Sequence, residues 1–132
     1  MKRFKTKSLL LSVPALLLLG CSSYKEKDQL KYVVGQDSFT LSHKCVATAK
    51  LQDNKKTNQT GVIINLSDND QCKKKLNNLI NSNEGKDVSV YFNETPVTSP
   101  VRIHSKIDVG NGYYQSVTNK ELAIDILSAY DQ

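Results

Sequence analysis

From residue 30 onward, short segments with a two-residue hydrophobic period give way twice to segments with a helical one. Leu30-Lys31-Tyr32-Val33-Val34 is a β-prone run that stops at Gly35. Cys45 to Leu51 alternates and predicts a strand with Cys45, Ala47, Ala49 and Leu51 on one face. The polar stretch from Gln52 to Thr60 reads as a hairpin loop, and Gly61-Val62-Ile63-Ile64-Asn65-Leu66 is the strongest strand signal of the chain. The period then changes. Cys72, Leu76, Leu79 and Ile80 recur at i, i+4, i+7 and i+8, which predicts a helix capped by Ser67 or Asp68 and stopped by Gly85. Lys73, Lys74 and Lys75 fall mostly on its solvated side, and Cys72 faces inward toward Cys45 on the neighbouring strand.

In the second half, Asp87 to Asn93 is a strand with Val88, Val90 and Phe92 alternating, and Glu94-Thr95 turns the chain. Pro96, Val97, Thr98, Ser99, Pro100 and Val101 form an extended segment whose prolines lack the amide hydrogen needed at the centre of a sheet. This segment is assigned to an edge or to a place outside the sheet. Exposed backbone there can accept an extended peptide as an added strand, and the prolines equally serve to blunt the edge against aggregation. Val101 to Ile107 continues in extended form, Gly110-Asn111-Gly112 turns the chain, and Tyr113 to Val117 returns as a strand. Thr118-Asn119-Lys120-Glu121 has capping-box spacing and opens a second helix, with Ala123, Ile126, Leu127 and Tyr130 as its apolar stripe. The order strands, helix, strands, helix predicts an α+β domain over 30–132: a small antiparallel or mixed sheet with two helices packed on one face.

Composition changes the picture only at the amino terminus. The 132 residues carry a net charge of +5, and Lys2, Arg3, Lys5 and Lys7 supply four of those charges. Without them 14 basic residues face 13 acidic ones, so the remainder offers no electrostatic footprint for nucleic acid. The basic residues precede an apolar run, Leu9 to Leu19, that would make a helix of only about 16 Å and is interrupted by Pro14. Residues 1–20 therefore read as a secretory signal peptide, not a membrane span.

The run ends in Leu18-Leu19-Gly20-Cys21, which resembles the lipobox of bacterial lipoproteins. The resemblance implies that Cys21 becomes the lipidated amino terminus, stably held because two or more acyl chains are carried. Ser22 stands where the inner-membrane retention signal would place Asp, which implies an outer-membrane location facing the periplasm. The polar stretch that follows, to Gln29, makes 21–29 the lipidated cysteine and its tether.

Two cysteines then remain, Cys45 and Cys72, and in an oxidising compartment such a pair is most simply a disulfide. Their spacing is not C-x-x-C, and His43 and His104 alone could add imidazoles, so no metal or cofactor is expected. Ser42-His43 is mere adjacency, and Asp68, Asp70, Asp87, Asp108 and Asp125 are scattered as caps, turns and solvated positions. These residues do not make the constellation an enzyme needs. Asn58, Asn65 and Asn93 match the glycosylation sequon, which a bacterial lipoprotein does not routinely use.

From Phe39 to Tyr130 the sequence resembles the head subdomain of the periplasmic domain in SecD/SecDF protein-export components. The tokens are a helix stopping at Gly85, the strand Val88 to Phe92, the Thr95-Pro96-Val97 to Pro100-Val101 segment, Ile107, Gly110-Asn111-Gly112, Gln115 and Glu121-Leu122-Ala123. The family's Gly-Asn-Phe-Thr run is shortened here to Ser116-Val117-Thr118-Asn119, and the two cysteines are additions. The resemblance implies a head-like fold and a non-catalytic role in binding envelope proteins or peptides. An immunity or exclusion lipoprotein that neutralises a toxin or a phage component is the alternative. The lipobox reading has a direct check: Cys21→Ser is expected to abolish incorporation of labelled palmitate, and a variant that still takes up label overturns it.

Overall fold

The computed structural model describes residues 28–131, so the signal segment, Cys21 and the tether before Asp28 lie outside the described residues. β1 (Leu30–Val34) and β2 (Asp37–Leu41) form a hairpin in which Val34 pairs with Asp37 and Leu30 with Leu41. Its two-residue turn places Gly35 at φ +60°, where a glycine carries no steric cost. A 3-10 turn, His43–Cys45, leads into β3 (Val46–Asn54), and β4 (Gln59–Leu66) returns antiparallel to it. Helix α1 (Asp70–Asn81) follows, then β5 (Asp87–Phe92), β6 (Thr95–Pro96), β7 (Val101–Arg102) and β8 (Tyr113–Val117), and α2 (Lys120–Tyr130) closes the order.

The strands divide between two antiparallel sheets. One has the order β2-β1-β5-β6, with β7 also paired to β5; the other has the order β3-β4-β8. The α+β class and its two helices stand as expected, whereas the strands expected in a single sheet are split. α1 packs by β2 of the first sheet, and α2 packs on β3 and β4 of the second. One core joins all the layers: Leu30, Tyr32, Val34, Val90 and Phe92 meet Val62, Ile64, Leu66, Val117, Leu76, Ala123 and Ile126.

Both helical stripes are where the periodicity put them. Cys72, Leu76 and Leu79 are buried with Ile80 half-buried, as are Ala123 and Ile126 with Leu127 and Tyr130 half-buried. The caps differ. Asn69, not Ser67 or Asp68, accepts the Gln71 amide at 2.9 Å, and Asn119, not Thr118, accepts that of Leu122 at 2.8 Å. Ser67 and Thr118 spend their hydroxyls on the carbonyls of Lys44 and Val97 instead. β3 departs from the expected alternation: a bulge between Val46 and Thr48 shifts its register, Ala49 is half-buried, and Ala47 and Leu51 are exposed. Strand pairing also continues through the polar stretch to Asn54↔Gln59, which shortens the predicted loop to residues 55–58.

Cys45 and Cys72 are joined in a disulfide with Cα atoms 5.8 Å apart, both side chains buried. Cys45 reaches the helix from the 3-10 turn before β3, one position outside the strand that the alternation assigned it to. The bridge spans a sequence separation of 27. In the chain-entropy account a loop of that size is worth roughly 3.5 kcal/mol.

Tyr130 performs a second closure. Its hydroxyl donates to the Leu41 carbonyl at 2.6 Å and accepts the Leu30 amide at 2.7 Å, so it bridges the open end of the β1–β2 hairpin from the last turn of α2. The rings of His43 and Tyr130 meet edge to face with centroids 5.3 Å apart.

Two stability predictions follow from these closures. Cys45→Ala together with Cys72→Ala is expected to lower the unfolding free energy by roughly 2–5 kcal/mol in urea titration, and a midpoint unchanged from wild type counts against a stabilising bridge. Burial raises the phenols of Tyr32, Tyr113 and Tyr130 above their ordinary value of 10.0. The unfolded chain therefore releases these protons first, and stability present below about pH 10 is lost as the pH rises toward the folded-state values. Tyr130→Phe should make that alkaline decline shallower while costing roughly 1–3 kcal/mol at neutral pH for the stranded backbone groups. An alkaline titration identical in slope to wild type would contradict this account.

Candidate functional site

β8 pairs with β4 on one side only, and the opposite side of the strand faces β5 and β7 of the other sheet across a cleft. The cleft has a volume of about 350 Å³. Val88, Val90, Tyr32 and Tyr113 line it on the core side, and Val101, Ile107 and Tyr114 line it nearer solvent. Five large apolar side chains stand exposed among the described residues, and Val101, Ile107 and Tyr114 are three of them. Their convergence on one concave surface distinguishes it from the scattered exposure that any protein shows.

Each wall has a local cause. Tyr114 lies across Gly61 of β4, where any added side chain would collide with its ring. The loop that carries Ile107 is held by two asparagines one turn apart on α1. Asn81 donates to the Ile107 carbonyl at 2.9 Å and accepts its amide at 2.8 Å, while Asn77 accepts the Val109 amide at 2.9 Å. Asp108 accepts the Gly110 amide at 2.8 Å, and that bond, followed by the one from Asn77, holds its carboxyl below the ordinary value. On the opposite wall Arg102 pairs with Asp87 at 2.6 Å, directly across the β5–β7 ladder. Neither the helix stripe nor the strand alternation had pointed to Asn77, Asn81 or Tyr114. The i, i+4 spacing of the two asparagines is the one signal the sequence carries for the clamp.

The segment assigned to a binding edge is only partly available. Pro96 ends the outermost strand β6, Ser99 and Pro100 are exposed between β6 and β7, and Thr98 and Val101 line the cleft. Val97 is fully buried. Its amide donates to the Val90 carbonyl at 2.8 Å, and its carbonyl accepts both the amide and the hydroxyl of Thr118 at 2.8 Å. No added strand can use that backbone, and the open edge beside the cleft belongs to β8. His104 is exposed at the cleft, whereas His43 is half-buried and bonded through Nε2 to the Asp28 carbonyl at 3.1 Å. Among the described residues no three metal-ligating side chains cluster.

No family model matches the chain, and no curated protein matches it. Solved structures do. A structure of SecDF, a membrane component that enhances protein export, is similar over 97% of this chain and 70% of that one, with 13% identity and a TM-score of 0.59. The crystal structure of SecDF in its super-membrane-facing form is similar over 95% of this chain and 17% of that one, with 14% identity and a TM-score of 0.54. The domain has a SecDF-type fold, as the residue pattern implied. It corresponds to a small part of that larger chain, and among its described residues no helix is long and apolar enough to cross a membrane.

Proposed function

We propose that the chain is a lipid-anchored, non-catalytic domain of the cell envelope that holds extended polypeptide in the cleft between β8 and the β5–β7 pair. The observation that carries this reading is the open edge of β8 beside an apolar, concave surface. A peptide laid there gains main-chain hydrogen bonds from the edge and side-chain burial from the walls, with little demand on its sequence. The similarity to SecDF, an export component, supports a role beside translocating or newly exported chains.

The described chain enters the domain beside the β5–β6 turn. Asp28 is fastened to the β5–β6 turn, its amide donating to Asn93 Oδ1 and its carboxylate accepting from Asn93 Nδ2, both at 2.7 Å. β1 then runs antiparallel to β5, with Leu30 opposite Phe92 and Val33 opposite Ser89. Val88 at the cleft thus lies four residues along β5 from the entry end, about 13 Å away. Ser22 after the lipobox supports the outer membrane as the site of anchoring.

Binding of a fluorescent, acetylated alternating Val-Thr octapeptide to the purified chain in detergent tests the reading. Saturable binding is expected, with Ile107→Asp and Val101→Asp each weakening it by about tenfold or more, because a carboxylate on the wall would be desolvated by the peptide. Ile124→Asp, on the exposed face of α2, should leave it unchanged. No saturable binding, or equal binding by the cleft and control variants, rejects the cleft as the site.

A further inference from the structure

The core side of the cleft is not wholly apolar. The hydroxyls of Tyr32 and Tyr113 are bonded to each other at 2.8 Å, their rings edge to face with centroids 6.3 Å apart. Two phenols bring two protons, and the bond between them consumes one. Among the described residues neither hydroxyl has another partner, so one O–H donor of the pair is unspent. Both side chains line the cleft. Burial holds both phenols above their ordinary value, so the donor persists throughout the physiological range.

Gln115 supplies the complement. It stands two residues after Tyr113 on β8, is only 8% exposed, and also lines the cleft. Its Nε2 donates to the Ser116 carbonyl at 3.0 Å, which leaves Oε1 as the unpaired end of the amide. A buried carbonyl oxygen without a partner costs free energy until something donates to it. The cleft thus presents one hydroxyl donor and one amide acceptor, carried in part by residues two positions apart on β8, whose Cα atoms are about 7 Å apart in an extended strand. Arg102 is the only arginine or lysine on its lining and is already paired with Asp87, so nothing there favours an anion.

We infer that the Tyr32–Tyr113 pair and Gln115 together read the peptide backbone of the bound chain, the phenol donating to a carbonyl and Gln115 Oε1 accepting an amide hydrogen. This rests on the polypeptide reading of the cleft and adds to it the residues that recognise main chain. Such contacts explain how a site could hold many sequences yet refuse a ligand of equal hydrophobicity that lacks amides.

The test replaces single peptide groups of the Val-Thr octapeptide, using a thioamide to weaken one carbonyl acceptor at a time and an ester to delete one N–H. With wild-type protein, one thioamide position and one ester position should each cost about fivefold to tenfold in affinity. The thioamide effect should vanish in Tyr32→Phe/Tyr113→Phe, and the ester effect in Gln115→Met, each variant keeping side-chain volume. Position profiles that are the same in wild type and both variants overturn the inference while leaving the cleft as a binding site. Absence of any binding by wild type removes the polypeptide reading and this inference with it. Should the double tyrosine variant fail to fold, the tyrosine doublet in the Raman spectrum of wild type carries the test. Peptide addition must move it toward the donating form, and an unchanged doublet overturns the donor assignment.

Discussion

The two sheets are tied to each other through the backbone of Val97. Its side chain is fully buried, its amide is given to Val90 of the first sheet, and its carbonyl takes the amide and hydroxyl of Thr118 at the end of β8. Two donors on one buried carbonyl satisfy both of its lone pairs, so the junction leaves no polar group to be hydrated. Beyond that junction β8 does not continue onto β5, because β7 already pairs with Asp87 and Val88. The strands diverge, and the space between them is the cleft. Tyr130 and the Cys45–Cys72 bridge then fix the far side of the molecule, where helix meets hairpin and where helix meets the start of β3. Such closures matter in a domain of this size, whose core alone supplies a modest surplus over chain entropy.

What was legible in the sequence was local or covalent. The stripe Cys72, Leu76, Leu79, Ile80 and the stripe Ala123, Ile126, Leu127, Tyr130 are helical faces because their spacing leaves one side to bury, and tertiary packing used that side. The cysteine pair followed from counting. The strand Asp37–Leu41 was missed because polar Asp37, Ser38 and Thr40 dilute the signal of Phe39 and Leu41, and the pairing with β1 supplies what propensity lacks. Asparagines took both helix caps from the neighbouring Ser, Asp and Thr. Cap chemistry is interchangeable among these residues, and the hydroxyls of Ser67 and Thr118 had carbonyls to satisfy elsewhere. The resemblance to SecD/SecDF heads carried further than any of these patterns, because ordered tokens over most of the chain encode topology even when single tokens do not.

The cleft itself was beyond such reading. Val101, Ile107 and Tyr114 belong to three different elements, and nothing in their spacing marks them as neighbours. The prolines at 96 and 100 correctly signalled an edge, but they could not reveal that Val97 between them is a core residue with both backbone groups committed. Burial at a single position within an exposed segment depends on what stands opposite, here Val90 and Thr118, and those are separated from it by 7 and 21 residues.

The two edges of the second sheet are built differently. Both β3 and β8 have an unpaired side, and an unpaired strand edge invites association unless it is defended. β3 is the longer, nine residues against five, and therefore the greater hazard. Its exposed positions include Lys50 and Asp53, the latter paired with Lys120 at 3.5 Å, and its one exposed large apolar side chain, Leu51, directly follows Lys50. β8 carries no charged residue at all, and its second residue is the exposed Tyr114. Under the proposed function, defence by charge would be incompatible with the apolar polypeptide this edge is proposed to accept. Protection instead comes from geometry: the edge is short, Thr118 and Val97 close one end, and the β5–β7 pair stands across from it.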